Sequence, residues 1–335
     1  MKNINFEQRL EPLTNLRLTL VVPFYNESQI LNQFLDQLIP VKDSLNERVD
    51  CQVLFVDNGS SDESFQKIMS RKRELGSFHV LRLTRNFGYE NALIAGLTHA
   101  EGDLFAICDS DGEDPVLLLN NFLDGIEEGF EIAIGIRRKR FESRGIQFFR
   151  FASYKVLSKL SDDPFRANAG NFSMFTDKVR QAILLENKSF PFLRSTFYRS
   201  GYACKEYPHN RNPRIGGRSK YRRLNLLRFA IAGFLTATTS PLRFVAYSAS
   251  LLSFNLLLFS ILTFFTSQNQ SVTSMESILI TLFLIHFLIF SGISSLYLAR
   301  VYKEALNRPI FYVEWLKSFS SNESPDNGEV DRRGS

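Results

Sequence analysis

The stretch that decides the fold is "LFAICDSDGEDP", residues 104–115, in which an apolar run passes directly into an acidic one. The apolar part is typical of a buried strand. The acidic residues that follow it are Asp109, Asp111, Glu113 and Asp114. Repulsion raises the free energy of such a cluster unless water screens the carboxylates or a cation neutralises them. A turn rich in Asp, Gly and Pro is also ordinary loop chemistry, so this stretch alone leaves both interpretations open.

Similar apolar runs recur through the first part of the chain and alternate with helical stretches. They lie at 18–23, 52–57, 78–83, 104–109 and 131–135. Strands that alternate with helices predict an α/β fold, with a mainly parallel sheet and helices on both faces. Three of the runs lead into polar loops, "PFYNES", "DNGSSD" and "DSDGED". Ligands of such sheets bind beyond the carboxyl ends of the strands, so we expect the three loops to share one rim.

Two long apolar segments, 244–266 and 277–299, contain no Asp, Glu, Lys or Arg. As helices they would each measure about 35 Å, which is enough to cross a bilayer. A pair of buried core helices is the alternative. Basic residues precede the first segment and follow the second, whereas the connecting "SQNQSVTSM" has none. The positive-inside rule therefore predicts an integral membrane protein with both termini in the cytoplasm.

The composition narrows the classes of partner. The 335 residues carry a net charge of only +5, and the basic residues gather in local groups. This favours anionic ligands at particular places, including a membrane surface, over general nucleic-acid binding. Cys51, Cys108 and Cys204 are far apart, which disfavours a disulfide framework or a structural zinc. The N-terminus has no apolar stretch of the secretory kind, so we expect the catalytic part to stay cytoplasmic.

Five motifs follow one another along the chain: "VVPFYNES", "VDNGSSDES", "RNFGYENALIAGL", "DSDGEDP" and "RIGGRSKY". Taken in order, they resemble those of the membrane-bound polyprenyl-phosphate glycosyltransferases of the inverting GT-A class, the family of dolichol-phosphate mannose synthase and its bacterial relatives. They are similar to the family patterns VVPxYNE, D-G-S-x-D, RNFGxxxAxxAG, DxDxQDP and RxxGxSKY. Each is weak alone, but five in the family's order, followed by two apolar spans, are strong together. The likeness covers about residues 16–310.

The resemblance implies a division of the chain into four parts. A cytoplasmic GT-A (Rossmann-like) domain would occupy 1–220, and two transmembrane helices would occupy 242–300. Between them, 221–241 has apolar residues at helical spacing beside arginines, which fits an amphipathic interfacial helix and fits a core helix of the soluble domain equally well. The cytoplasmic tail, 301–335, is expected to be disordered after about residue 318 because it has little apolar content.

The resemblance also implies a metal and a nucleotide-sugar donor. Asp109 and Asp111, helped by Glu113, would hold Mg²⁺ or Mn²⁺ against the diphosphate of the donor, which agrees with the preference of hard cations for carboxylate oxygen. Glu113 stands where the family usually has Gln. The donor pocket would be lined by Pro23, Tyr25, Glu27, Asp57, Arg85, Asn86 and Gly88. Next to that set, Tyr89 replaces the Lys frequently found in the family.

The implied acceptor is a lipid phosphate, which basic side chains would bind through charge-assisted hydrogen bonds. Its predicted cradle is Arg137, Arg150, Ser153, Arg214, Ser219 and Lys220. Where the family commonly reads GDFR, with Asp as catalytic base, this chain reads "GNFS", so Asn171 stands beside Asp109 and Asp111 as the third predicted catalytic residue. Either the protein is a weakened binder, or no base is needed because a phosphate monoester, with a second pKa of about 6, is already mostly dianionic. We favour the second interpretation, in which Asn171 donates a hydrogen bond to the nucleophile.

The sequence thus predicts transfer of one sugar from a UDP- or GDP-sugar to undecaprenyl phosphate or a similar lipid, with inversion. The QxxRW motif of processive synthases is missing. Two other functions stay open: transfer to a lipid or glycan hydroxyl, and a noncatalytic nucleotide-sugar sensor or partner subunit anchored in the membrane. Self-association into a homo-oligomer is compatible with all three.

Overall fold

The structure is a computed structural model that describes residues 16–138, 169–186, 193–212, 240–266 and 272–320. The first half of the chain alternates strands and helices. These elements are β1 (Arg17–Phe24), α1 (Leu31–Asn46), β2 (Asp50–Asp57), α2 (Ser64–Ser70), α3 (Lys72–Leu75), β3 (Phe78–Leu83), α4 (Tyr89–His99), β4 (Leu104–Ile107), α5 (Leu118–Glu127) and β5 (Ile132–Arg137). The later elements are β6 (Ala169–Thr176), α6 (Asp177–Leu185), α7 (Leu193–Arg199), β7 (Cys204–His209), α8 (Ser240–Thr266), α9 (Val272–Ala305) and β8 (Val313–Phe319).

The described strands form one eight-stranded sheet in the order β7-β5-β6-β4-β1-β2-β3-β8. Strand β1 pairs in parallel with both β2 and β4, and β2 pairs in parallel with β3. Strand β6 is antiparallel to both of its neighbours, and β8 is antiparallel to β3. The parallel centre confirms the predicted α/β class and is the sheet that a GT-A domain requires.

Two apolar clusters cover the two faces of the sheet. The central strand β1 supplies both, because alternate residues of a strand point to opposite faces: Leu20 and Val22 belong to one cluster and Val21 to the other. Helices α1 and α5 pack on the first face, and α4, α6 and α7 on the second. Helix α4 approaches closely at Gly96, where a Cβ atom would lie 2.5 Å from Val21 Cγ1. The sheet is therefore rigidly supported beneath its loops.

Strand β8 is where the structure differs from the sequence-based division of the chain. The segment was expected to belong to a tail outside the GT-A domain, yet Val313–Phe319 forms an edge strand of the sheet. The predicted disorder after about residue 318 stays a prediction. Phe319 is 5% exposed and stacks on Phe78 with 5.3 Å between ring centroids. The physical reason is that both faces of the strand carry apolar side chains: Trp315 and Phe319 pack with one cluster, and Leu316 packs with the other. The rest of the tail lies outside the described residues.

Helices α8 and α9 contain the two predicted membrane spans. Their apolar windows, Leu242–Phe259 and Leu279–Ala305, have mean hydropathies of 1.5 and 2.1, and 6% or less of either window is buried. Both helices meet the length and composition that a membrane span requires. The amphipathic segment, 221–241, lies outside the described residues except for its last two.

Candidate active site

The three polar loops meet at one rim of the sheet, as predicted. Strands β2, β1 and β4 are neighbours and run in the same direction, so the loops that follow them emerge side by side. The hydroxyl of Ser110, in the acidic loop, donates to the carbonyl of Pro23 at 2.9 Å. The backbone N–H of Asn26 donates to Ser60 Oγ in the β2 loop at 3.1 Å. Hydrogen bonds thus join all three loops into one site.

Asp57, at the end of β2, is already bonded within the protein. The carboxyl is fully buried, accepts the N–H of Ser60 at 2.7 Å and pairs with Arg82 at 3.0 Å. Burial raises its pKa, while the bonds from Ser60 and Arg82 oppose the rise. Its role as a contact to the donor stays a prediction.

Of the other predicted donor residues on and after β1, Pro23 is buried, whereas Tyr25 and Glu27 are partly exposed at the rim. The backbone carbonyl of Glu27 accepts hydrogen bonds from the N–H groups of Ile30 and Leu31 and so starts α1. The side chain of Glu27 lies at the rim, and its role as a ligand of base or ribose stays a prediction.

Asn58 holds the predicted sugar-side loop, 85–88, and was not predicted from the sequence. Its Oδ1 accepts the N–H of Phe87 at 2.9 Å, and its Nδ2 donates to the carbonyl of Gly88 at 3.2 Å. Next to it, Gly59 has φ +74°, and a Cβ atom there would lie 2.5 Å from the carbonyl carbon of Arg85. The "NG" pair in "VDNGSSD" was the available signal, because such pairs mark tight turns.

The acidic loop holds two carboxyl groups whose ionised forms are disfavoured. Burial raises the pKa of Asp109 to about 7, with smaller contributions from the charges of Asp111 and Asp114. Burial also raises the pKa of Asp111, whose Oδ1 accepts the N–H of Glu113 at 3.0 Å. The hydroxyl of Tyr89 donates to Asp109 Oδ1 at 2.5 Å. This pair of carboxyls is therefore a place where a positive charge would be stabilising.

Asp114 lies only a few residues along the chain, but its ionised form is favoured. Burial would raise its pKa, but hydrogen bonds from His209 and Arg137 lower it to about 2. Arg137 forms a fork on this carboxylate, with Nη2 at 2.9 Å and Nε at 3.3 Å. Arg137, predicted for the acceptor phosphate, thus lies at the site but is paired with Asp114. His209 and Arg211, both at the end of β7 and near this loop, were not predicted from the sequence.

Asp109 and Asp111 fit a hard divalent cation. Both offer carboxylate oxygen, and a cation would offset the energetic cost that raises their pKa values. Glu113 is 8% exposed and forms an ion pair with Arg211, so it would have to exchange that partner for the metal. Within 16–138, 169–186, 193–212, 240–266 and 272–320, no group of three or more His, Cys, Asp or Glu side chains is arranged to hold a metal. The fit rests on the two aspartates.

Asn171 lies beside the acidic loop, on β6. Strand β6 pairs with β4, and the last pair of that ladder is Ser173 with Ile107, two residues before Asp109. The side chain is 2% exposed, and its Nδ2 donates to Glu90 Oε1 at 3.1 Å. Asn171 thus lies on the strand next to β4, which leads into the acidic loop, and its catalytic role stays a prediction.

The remaining predicted acceptor residues are Arg150, Ser153, Arg214, Ser219 and Lys220. All five lie outside the described residues. Their part in the acceptor site stays a prediction.

A protein-family comparison now adds to this geometry. The model of glycosyl transferase family 2 matches residues 19–248, more than half of the chain. The chain belongs to glycosyl transferase family 2. The matched residues include the three rim loops and Asn171, so the rim lies within the family 2 domain.

Two curated relatives of this family 2 glycosyltransferase match over nearly its whole length. The "Uncharacterized glycosyltransferase YkcC" of Bacillus subtilis (strain 168) is 26% identical over 90% of this chain and 94% of the relative. The "Undecaprenyl-phosphate 4-deoxy-4-formamido-L-arabinose transferase" of Enterobacter sp. (strain 638) is 26% identical over 91% of this chain and 95% of the relative.

Solved structures show a weaker similarity. Glucosyl-3-phosphoglycerate synthase from Mycobacterium tuberculosis, in complex with Mn²⁺, UDP-glucose and phosphoglyceric acid, matches with a TM-score of 0.47 and 18% identity over 66% of this chain and 79% of that chain. Mannosyltransferase PcManGT from Pyrobaculum calidifontis, in complex with GDP-Man and Mn²⁺, matches with a TM-score of 0.43 and 16% identity over 84% and 88%. Neither TM-score is high enough to support an argument about this chain.

Proposed function

We propose that this family 2 glycosyltransferase moves one sugar from a UDP- or GDP-sugar to a polyprenyl phosphate at the cytoplasmic face of a membrane, with inversion at the anomeric carbon. The observation that carries the proposal is the pair Asp109 and Asp111 at the carboxyl end of β4. Their ionised forms are disfavoured, so the site favours a cation, and an anionic diphosphate would bind to that cation.

Asp109 and Asp111 would hold the Mg²⁺ or Mn²⁺. The cation, when bound, would offset the negative charge that develops on the departing nucleoside diphosphate. The hydroxyl of Tyr89, which donates to Asp109, would keep that carboxylate in one orientation. Asp114 would contribute differently, because its pairs with Arg137 and His209 hold the loop in place.

The donor would lie along the joined loops. Asn58 and Gly59 contact the 85–88 loop at the end of β2, and Arg85, Asn86 and Gly88 would border the donor on its sugar side. Fixing both edges of the pocket before the donor arrives would lower the entropic cost of orienting it for an in-line displacement.

The acceptor is proposed from two further observations. A relative of similar length is named for an undecaprenyl-phosphate acceptor, and α8 and α9 are long and apolar enough to lie in the same membrane as such a lipid. A phosphate dianion needs positioning rather than deprotonation, which would let Asn171 replace the usual Asp. Arg137 would add positive charge beside the reacting groups even while paired with Asp114.

The test is turnover by the full chain, purified in detergent, with Mn²⁺, undecaprenyl phosphate and a panel of UDP-glucose, UDP-N-acetylglucosamine and GDP-mannose. We expect one of these donors to give a lipid-linked monosaccharide. Asp111→Asn should reduce the rate at least about 100-fold, because the cation loses a charged ligand. The matched control is Asp124→Asn, a surface carboxylate on α5 that pairs with Arg48 and should leave the rate unchanged.

The same purified protein also tests the two alternative functions. Undecaprenol, offered in place of its phosphate, tests transfer to a hydroxyl; a faster reaction with the alcohol would contradict the proposed acceptor. The buried Asn171, which cannot accept a proton, favours a noncatalytic binder as second candidate. Calorimetric binding of a nucleotide sugar without turnover in any acceptor would support that candidate and overturn the proposed enzyme.

A further inference from the structure

The amide nitrogen of Asn171 is held by a neighbouring protein group. Nδ2 donates to Glu90 Oε1 at 3.1 Å. Tyr89 precedes Glu90 at the start of α4. Tyr89 donates its own hydrogen to Asp109 Oδ1 at 2.5 Å. Two consecutive residues of α4 thus bond to the site: Glu90 accepts from Asn171, and Tyr89 donates to Asp109.

Glu90 is itself held in place. Its Oε2 accepts the backbone N–H of Leu193, at the start of α7, at 3.4 Å. Burial raises the pKa of Glu90, while the positive charge of Arg194 and the hydrogen bonds from Asn171 and Leu193 oppose the rise. A carboxylate accepts hydrogen bonds and cannot donate them while it is ionised. Rotating the Asn171 amide by half a turn would set Oδ1 against Glu90 Oε1, two acceptors with no hydrogen between them. Glu90 therefore fixes the orientation of the Asn171 amide, with Nδ2 toward Glu90 and Oδ1 away from it.

In this orientation, Asn171 Oδ1 is a hydrogen-bond acceptor without a partner among the described residues. Asn171 Oδ1 is buried, and among the described residues no group donates a hydrogen bond to it. A buried acceptor is costly to leave unsatisfied. A group that satisfies it must be a hydrogen-bond donor, which is opposite to the donor role toward the nucleophile that the sequence suggested for Asn171.

We propose that Glu90 is a positioning residue that fixes Asn171 so that Oδ1 accepts a hydrogen bond from a hydroxyl of the bound substrate. The inference rests on the proposed function, because that function supplies the substrate. Two hydroxyls fit this chemistry: one on the sugar of the nucleotide sugar, and the P–OH of a lipid phosphate in its monoanionic form. A fully ionised phosphate, the form that reacts in the proposed function, offers no hydrogen, so a P–OH partner applies only to the monoanion before it loses its last proton.

The test compares binding by full-length wild type and Glu90→Gln, measured by calorimetry in detergent with Mn²⁺. The ligands are the nucleotide sugar that wild type uses, the matching nucleoside diphosphate, and undecaprenyl phosphate. The introduced glutamine can donate to Asn171 Oδ1, so the amide is free to turn and the acceptor is lost. A sugar hydroxyl as partner predicts a loss of about five- to tenfold for the nucleotide sugar with no change for the diphosphate. A P–OH partner predicts the same loss for undecaprenyl phosphate alone.

A double substitution that exchanges the two side chains should restore the affinity. In Glu90→Gln/Asn171→Asp the amide and the carboxylate change places, so the hydrogen bond is kept and the new carboxylate on β6 presents a fixed acceptor oxygen. Affinity should return to within about twofold of wild type. The matched control is Glu131→Gln. Glu131 accepts a hydrogen bond from Thr176 at the far end of β6, and its substitution should not change any of the three affinities.

The outcomes are distinct. Wild-type binding with unchanged affinities in a folded Glu90→Gln overturns the positioning role and leaves the proposed function standing. Wild type that binds neither nucleotide sugar nor undecaprenyl phosphate overturns the proposed function itself. If the melting curve shows that Glu90→Gln does not fold, Asn171→Ala removes Oδ1 directly and should show the same selective loss of affinity. An equal loss of affinity for nucleotide sugar and diphosphate, with no loss for undecaprenyl phosphate, contradicts the inference.

Discussion

At the scale of single residues, neighbouring carboxylates in the acidic loop have opposite tasks. Asp114 is stabilised in its ionised form by Arg137 and His209, and its pKa falls to about 2. Asp109 has no cationic hydrogen-bond partner among the described residues, and burial raises its pKa to about 7. Asp114 holds the loop together. The ionised form of Asp109 is disfavoured, and a bound cation would stabilise it. The difference depends on which side chains surround each group, not on the groups themselves.

The raised pKa of Asp109 predicts how cation affinity depends on pH. A cation binds the ionised carboxylate, and an acid whose pKa is about 7 is mostly protonated below that pH. Mn²⁺ affinity should therefore rise with pH through 7, by up to about tenfold per unit on the acid side, and level off above about pH 8. Titration of free Mn²⁺ by electron paramagnetic resonance across this range of pH measures the effect. Asp109→Asn should bind more weakly and show a shallower slope, because only Asp111, whose pKa is also raised, still titrates. A flat wild-type profile would refute the assignment.

At the scale of elements, the site depends on how closely helix α4 packs on the sheet. Gly96 in α4 lies over β1 and β2, where a Cβ atom would come within 2.5 Å of Val21 and 2.8 Å of Val56. Helix α4 begins with Tyr89 and Glu90, so its position sets where both of those side chains reach the rim. Glycine at 96 is explained by this close approach and not by backbone conformation.

Gly96→Ala should destabilise the protein by about 1–3 kcal/mol, because an added methyl group overpacks the helix–sheet contact. The measurement is the free energy of unfolding in denaturant. Gly292→Ala is the matched control: it also lies within a helix, α9, and a Cβ atom there meets nothing within 4 Å. The control should be neutral or slightly stabilising, since Ala is the better helix former. Equal losses in the two variants would contradict the packing argument.

Strand β8 predicts a sharp limit to truncation of the C-terminus. A chain that stops after residue 320 keeps β8, whereas one that stops after residue 312 exposes the edge of β3 and removes Phe319 from its place on Phe78. Losing a buried aromatic side chain of this kind costs about 3–5 kcal/mol, and an open apolar edge promotes aggregation. Size-exclusion chromatography and unfolding curves should show the longer form to be monodisperse and near wild type. Similar behaviour of both forms would refute the structural role of β8.

At the scale of the whole molecule, the membrane prediction concerns where the connection between α8 and α9 lies. Basic residues flank the two apolar helices on their outer ends, and the connecting residues 267–271 carry no charge. The positive-inside rule then puts this connection on the external face and the catalytic sheet in the cytoplasm. The donor and the phosphate end of the lipid would both be reached from that side.

Labelling of intact cells with a membrane-impermeant maleimide tests this arrangement. Asn269→Cys should react in intact cells, whereas Ser321→Cys, after β8, should react only after permeabilisation. Native cysteines provide the background, because Cys51 and Cys108 are buried and Cys204 is partly buried. Reaction of both introduced cysteines in intact cells, or of position 321 alone, would overturn the predicted topology.

Much of this arrangement could be predicted from the sequence because it is local. Apolar runs of five or six residues between turn signals identified the central strands, and uncharged segments long enough to span a bilayer identified α8 and α9. The order of the motifs placed Asp109 and Asp111 at the end of a strand. Strands β6, β7 and β8 were missed for different reasons. Strand β7, Cys204–His209, contains no run of apolar residues. Buried polar residues such as Asn171 and Ser173 interrupt the apolar pattern of β6, and β8 needs a partner that lies far away in the chain.

Which side chains meet at the rim was decided only by the tertiary structure. Tyr89 reaches Asp109, Asn171 reaches Glu90, and Arg211 reaches Glu113 because the strand order brings together loops that are distant in sequence. A pKa value depends on burial and on neighbouring charges, and neither is a property of a residue type. The sequence by itself determined that carboxylates, amides and arginines occupy the ends of parallel strands. Their pairing, and so the buried acceptor on Asn171, followed from the packing of α4 and β6 against the same edge.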